Sequence, residues 1–168
     1  MIDPLRDEVP AAMDAAHAAH VRVSVITGDH ATTARAIALR ARLNGDSQEI
    51  KIISGEDLPS LEDSHIFELL DRGGVVFSRV SPEDKLRIVG IAKAHGRVVA
   101  VTGDGINDAP ALKTADIGVA MGITGTDVAQ QSAEIILLDD SFNTLVGAIQ
   151  QGRTIFANIK KITVMSFT

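Results

Sequence analysis

Ala100-Val101-Thr102-Gly103-Asp104-Gly105-Ile106-Asn107-Asp108-Ala109-Pro110 is a short apolar strand that runs straight into a polar turn. The run Val98–Val101 supplies the strand. Behind it come a hydroxyl, two glycines, two carboxylates and an amide. The chain holds an echo of this stretch at Val25-Ile26-Thr27-Gly28-Asp29. Each copy is an apolar strand ending in Thr-Gly-Asp. Ligands of open α/β sheets bind beyond the carboxyl ends of the strands. The doubled pattern therefore predicts that both turns face one site, where glycine lets backbone approach a ligand closely. In the alternative, Gly-Asp only closes a strand. A second copy on a second apolar strand argues against that.

Outward from these two turns, apolar and β-branched runs alternate with helical patterns. The runs are Val21–Ile26, Val75–Ser78, Val98–Val101, Ile117–Ala120 and Ile135–Leu138, with Ile50–Ile53 as a further edge strand. Continuous apolar strands separated by helices are what a parallel sheet covered on both faces requires. The fold class is α/β, a doubly wound parallel sheet. Ser81-Pro82-Glu83-Asp84 opens a helix, with a capping serine, proline in the first turn and acids after it; Gly96 closes it. Residues Val9 to His20, His30 to Leu43 and Asp57 to Asp71 also read as helices. No repeat or low-complexity linker divides the chain, so one domain is the economical reading.

Composition excludes several function classes. The chain has 168 residues, no cysteine, no Trp and no Tyr, and a formal net charge of −6. It has no thiol nucleophile, thiolate metal site or disulfide framework. Acidity and few aromatics argue against nucleic acid as a partner. No apolar run reaches the ~18 to 20 residues of a membrane span, and Met1 to Pro10 lacks the apolar core of a signal peptide.

Asp104 and Asp108 stand four apart across a glycine-containing turn. Two hard carboxylates suit Mg²⁺, which takes one or two of them and completes its shell with water and phosphate oxygens. Without a cation, two close carboxylates repel. Asp108 could instead cap the helix that follows, or do both. Lys85 lies on the first turn of the helix opened by Ser81-Pro82, where it adds a point charge for phosphate to an anion-favouring terminus. The plainer reading of Lys85, and of Arg79, is a solvated surface cation. His17 and His20 share a helix face, but nothing completes a transition-metal site around them.

Asn143 to Thr168 reads as one long helix. After Lys160 and Lys161 it loses all charge, like the cytosolic flank of a membrane helix. Seven residues cannot span a bilayer, and a frayed amphipathic helix fits the local pattern too.

Taken together, these segments resemble the phosphorylation domain of cation-transporting P-type ATPases, in the haloacid dehalogenase superfamily. The resemblance runs from Asp3-Pro4-Leu5-Arg6, with Leu5 where the family's hinge motif has a second proline, through Thr27-Gly28-Asp29 and Arg79-Val80-Ser81-Pro82 with Lys85. It continues along Thr102 to Leu112, Ala115 to Gly122 and Leu138-Asp139-Asp140-Ser141-Phe142 to Gly152–Lys161. It implies a Rossmann-like sheet over residues 1–150 and a stalk over 151–168 leading to a transmembrane helix. It implies ATP and Mg²⁺ as cofactors. Asp104 and Asp108 would hold the metal, Lys85 would pair with the transferred phosphoryl group, and Thr27 would hydrogen-bond its oxygens. Gly28, Asp29, Arg79 and Asn107 would line the nucleotide and phosphate site. Lys85, Thr27 and Asp108 would be the catalytic set.

One departure matters. The family's nucleophile is the first residue of Asp-Lys-Thr-Gly-Thr, and that motif is absent from these residues. Asp3 and Asp7 follow no strand and lack the Lys-Thr partner. The resemblance then implies a sheet without its central strand, and an isolated chain that neither hydrolyses ATP nor becomes phosphorylated. Its partners would be the rest of the pump (actuator, nucleotide-binding and membrane domains) and the transported cation, at the cytosolic face of a membrane. Two other readings stand beside it. One is a soluble haloacid dehalogenase-type phosphatase, which needs the same nucleophile; the other is a non-catalytic Mg²⁺ or phosphate-binding module.

Overall fold

The structure is a computed structural model describing residues 5–45 and 49–166, with side chains described as far as residue 155. Asp3-Pro4 of the hinge-like motif and the uncharged side chains after Lys161 lie outside what is described. The elements are α1 (Val9–Ala18), β1 (Val25–Ile26), α2 (Ala31–Arg40), β2 (Lys51–Ser54), α3 (Asp63–Arg72), β3 (Val75–Ser78), α4 (Pro82–Ala94), β4 (Ala100–Gly103), α5 (Ala109–Thr114), β5 (Ile117–Met121), α6 (Asp127–Ser132), β6 (Ile135–Leu137) and α7 (Phe142–Ser166). Single 3-10 turns at Leu58–Ser60 and Ile106–Asp108 complete it.

All observed strand pairs are parallel, as continuous apolar runs demand. They form two sheets rather than one, ordered β1-β3-β2 and β4-β5-β6. Each central strand is the most enclosed. All four residues of β3 are buried, and Val119 and Ala120 of β5 are fully buried.

The two sheets are joined by helices that pack against both. On α4, Ile88 and Ile91 join the core of Phe77, Ile66 and Leu69, whereas Val89 packs with Ala111, Ala115 and Val101. On α7, Leu145 packs with Val119 and Leu137 of the second sheet, and Val146 with Ala12 and Ala16 of α1. Helix spacing puts adjacent residues on different faces, so neighbouring positions of each helix serve different cores.

Between the sheets runs a cleft of about 590 Å³, lined by Ile26 of β1, Ala100 and Val101 of β4, Val89 of α4 and Ile149 of α7. Among the described residues no strand lies between β1 and β4. These two strands run in the same direction. Their amino ends are drawn together by Asp71, which pairs with both Arg22 ahead of β1 and Arg97 ahead of β4. Their carboxyl ends both meet the start of α4, through the Val80 amide on the Thr27 carbonyl and Lys85 on Asp108.

Several boundaries differ from those the sequence predicts. The strand read at Val21–Ile26 is only Val25–Ile26, and that at Val98–Val101 is Ala100–Gly103. An apolar run reports burial, but a strand also needs a neighbour, and β1 and β4 have one on a single side. The helix read over Asp57 to Asp71 is a 3-10 turn and then α3, separated by extended Leu61 and Glu62. The helices starting at Val9 and His30 end early, at Ala18 and Arg40.

Candidate functional site

The beginning of α4 organises the site. The Ser81 amide donates to Asp84 Oδ2 at 2.9 Å and the Asp84 amide donates to Ser81 Oγ at 3.1 Å, a reciprocal cap that fixes the first turn. Immediately before it, the Val80 amide donates to the Thr27 carbonyl and the Arg79 amide to the Asp29 carbonyl. Thr27, Asp29, Arg79 and Ser81 are thereby locked to one corner. Lys85 reaches from the same turn to the second Thr-Gly-Asp segment, where its Nζ donates to Asp108 Oδ1 at 2.6 Å. This pair is partly enclosed, with side chains 18% and 14% exposed.

Asp108 Oδ2 accepts the amides of Asp104 at 3.3 Å and Gly105 at 3.2 Å. Asp108 stands at the N-cap position of α5 but makes no side-chain cap bond there. Its carboxylate reaches back over the turn instead. Gly103 permits this, because a Cβ there would lie 2.5 Å from the Asp108 Cβ. The glycine serves the approach of Asp108 rather than that of a ligand. At Gly28 a Cβ would meet nothing within 4 Å. Asp104 is exposed beside Asp108, and its side chain has no partner among the described residues.

This donor set fits Mg²⁺. Two carboxylates stand four residues apart, and no histidine joins them to favour a softer metal; among the described residues no cluster of three His, Cys, Asp or Glu ligands occurs. His17 is hydrogen-bonded to the Leu43 carbonyl, away from this edge.

The other predicted residues are placed as follows. Thr27 Oγ1 accepts the Asp29 amide at 3.1 Å, which leaves its hydroxyl proton to donate elsewhere. Gly28 and Asp29 are exposed beside it, and Asn107 is exposed on the Ile106–Asp108 turn. The Arg79 guanidinium lies 3.5 Å from Glu56, on the loop after β2. The structure thus joins Lys85, Asp104 and Asp108 directly, links Thr27, Asp29 and Arg79 through backbone bonds, and turns the Arg79 head toward Glu56.

A further loop enters the site that the sequence reading left without a role. The Thr126 amide donates to the Asp104 carbonyl at 2.8 Å. That loop, Gly122 to Thr126, is held from two directions. Gln130 Nε2 donates to the carbonyls of Met121, Gly122 and Gly125. Asp140, 7% exposed, accepts the Ile123 amide at 3.0 Å and the Thr124 amide and hydroxyl at 2.9 and 2.8 Å. The Ile123 amide first, then the two Thr124 donors, hold the Asp140 carboxyl down to a pKa of about 2. The paired glycines Gly122 and Gly125 followed by Asp139-Asp140 were the available signal.

Comparison with known proteins gives a consistent picture. Residues 1–116 match the model of a hydrolase family described as haloacid dehalogenase-like hydrolase. The chain is 48% identical over 161 residues to "Calcium-transporting ATPase 2, endoplasmic reticulum-type" of Arabidopsis thaliana, covering 94% of this chain and 15% of that protein. It is 42% identical over 191 residues to "Sodium/potassium-transporting ATPase subunit alpha-2" of Rattus norvegicus, covering 100% of this chain and 19% of that protein. The crystal structure of a zinc-transporting PIB-type ATPase in its E2.Pi state superposes on 95% of this chain and 21% of its own, with a TM-score of 0.70 and 32% identity. The chain thus spans less than a fifth of the length of these curated relatives.

Proposed function

The chain belongs to the haloacid dehalogenase-like hydrolases and is similar over nearly its whole length to cation-transporting P-type ATPases, and from this we propose that it works in the phosphorylation domain of an ATP-driven cation pump, as the part that holds phosphate and Mg²⁺. The observation that carries the reading is the Lys85–Asp108 ion pair at the start of α4, with the Asp104 amide bonded to Asp108 and the Thr27 carbonyl bonded to Val80 just before the same helix. Residues 1–150 would belong to the phosphorylation domain and 151–168 to a stalk at the cytosolic face of the membrane. The remaining pump domains and the transported cation would be the partners.

Phosphoryl transfer asks mainly for positioning and for charge stabilisation. Asp104 and Asp108 would hold Mg²⁺, which when bound neutralises phosphate charge. Lys85, anchored on a capped helix, presents an ammonium to the same phosphate. Thr27 offers its free hydroxyl proton to a phosphoryl oxygen, and Asp29 holds Thr27 through its amide. Arg79 must leave Glu56 to reach a nucleotide, at small cost because exposed ion pairs are worth about 0–1 kcal/mol. The acceptor aspartate would come from the Asp-Lys-Thr-Gly-Thr segment, outside these residues.

The test is Asp108→Asn in the complete pump. Acid-stable, hydroxylamine-sensitive labelling from ATP should fall at least about tenfold, while ATP binding stays near the wild-type level, since the change removes charge stabilisation of the transfer. Equal loss of labelling and of ATP binding would mean that Asp108 is structural.

A further inference from the structure

The Lys85–Asp108 pair joins a residue that the proposed function gives to phosphate with one that it gives to the metal. Both oxygens of Asp108 are taken, Oδ1 by Lys85 and Oδ2 by the Asp104 and Gly105 amides. The neighbouring Asp104 carboxylate is exposed and open. The two halves of the metal site are therefore unequal. A cation approaching it meets one free carboxylate and one already neutralised by an ammonium.

We propose that Lys85 is an internal counter-ion that withholds Asp108 from a divalent cation until a phosphoryl group draws the lysine away. The proposal rests on the reading of Asp104 and Asp108 as the Mg²⁺ holders.

The electrostatics are direct. An ammonium 2.6 Å from Oδ1 and a divalent cation on the same carboxylate would stand close together in a partly enclosed place, where their repulsion is weakly screened. Either one can hold Asp108, but both together are disfavoured. A phosphate changes this balance. Its negative charge gives Lys85 a second acceptor, and the flexible four-carbon stem lets the ammonium swing without moving α4. Thr27, fixed to the same corner through Val80, marks where that acceptor would sit. By linkage, whatever moves Lys85 off Asp108 must raise cation affinity, and the cation must raise phosphate affinity by the same factor. Cation and phosphate then load the site together, and the cation alone loads it poorly. The lock also satisfies the enclosed Asp108 carboxylate when the site is empty, so the turn keeps its shape.

The test is a Mg²⁺ titration of the 168-residue chain, read by the amide resonances of Gly103 and Gly105, with and without inorganic phosphate. Wild type, Lys85→Met and Asp104→Asn are compared, with circular dichroism as the check on folding. Wild type should bind Mg²⁺ weakly alone and about tenfold more tightly with saturating phosphate, within the usual range of coupling between sites. Lys85→Met should bind Mg²⁺ about tenfold more tightly than wild type without phosphate, and gain little when phosphate is added. If Lys85→Met binds Mg²⁺ no better than wild type while Asp104→Asn abolishes binding, the metal site stands and the lock is refuted. If neither wild type nor Lys85→Met shows saturable binding, the metal reading itself fails and the lock falls with it. If Lys85→Met does not fold, wild type decides alone, because Mg²⁺ affinity independent of phosphate refutes the lock.

Discussion

Single residues at this site act through contacts that a sequence shows unevenly. Asp140 has a folded pKa of about 2, below the ordinary 3.8. A depressed carboxylate contributes stability that is present above the ordinary value and is lost as pH falls through it toward the folded value. Asp139, held down by Thr144 and then the Ser141 amide, and Asp116, held down by the Val99 amide and then Lys93, shift the same way. Thermal melts between pH 7 and pH 2 should show wild type losing stability from about pH 4 downward. Asp140→Asn should start lower at pH 7, decline less steeply, and meet wild type near pH 2; parallel curves would show that Asp140 does not contribute through its charge. Gly103→Ala is a second residue-scale case. Its Cβ would press on Asp108, so the turn must shift or Asp108 must turn away. Overpacking of this kind costs about 1–3 kcal/mol, and Mg²⁺ affinity should fall with it. The Thr-Gly-Asp turns and Lys85 were legible because local spacing places them. Asp140 was not, because its partners lie 16 and 17 residues away and only folding brings them near.

Among the elements, α4 was the most legible and is the most consequential. Ser81, Pro82 and Asp84 are local signals, and the reciprocal cap they form is local too. The helix carries Lys85 at its start and packs into two separate cores farther along. Ser81→Ala should cost about 1 kcal/mol of stability, the usual price of a lost cap. Because the frayed turn holds Lys85, Mg²⁺-phosphate coupling should weaken as well. Val89→Ala truncates a buried residue at the second core and should cost about 1–3 kcal/mol without touching that coupling. Urea unfolding with the Mg²⁺ titration separates the two effects, and equal loss of coupling in both variants would remove the special status of the cap. Two strands, β1 and β4, were less legible than α4. The start of α4 is marked by its cap and its end by Gly96 in the chain itself, whereas the bounds of β1 and β4 depend on pairing with a neighbour that no local pattern names.

For the whole molecule, the open question is the cleft between β1 and β4. Both strands run the same way, each is paired on one side only, and the groove between them is walled by apolar side chains from α4 and α7. Unpaired N–H and C=O groups on a flat apolar edge are costly when enclosed and adhesive when open. A single extended segment of four to six apolar residues, laid parallel to both, would satisfy the two edges at once, at the usual strand spacing of about 4.8 Å. The resemblance to P-type ATPases supplies such a segment, the strand that ends in the nucleophile. The chain without it should therefore be folded in the cold but unfold broadly and at a low temperature. A peptide of alternating Val and Ile ending in Asp-Lys-Thr-Gly should raise the melting temperature in a saturable way, as strand addition does in other sheets. A scrambled peptide of the same composition should not. Saturable stabilisation by the first peptide alone would place a strand in the cleft. A sharp, high-temperature transition in a clean monomer, unmoved by either peptide, would show that the two sheets close on each other in solution and that no central strand is missing.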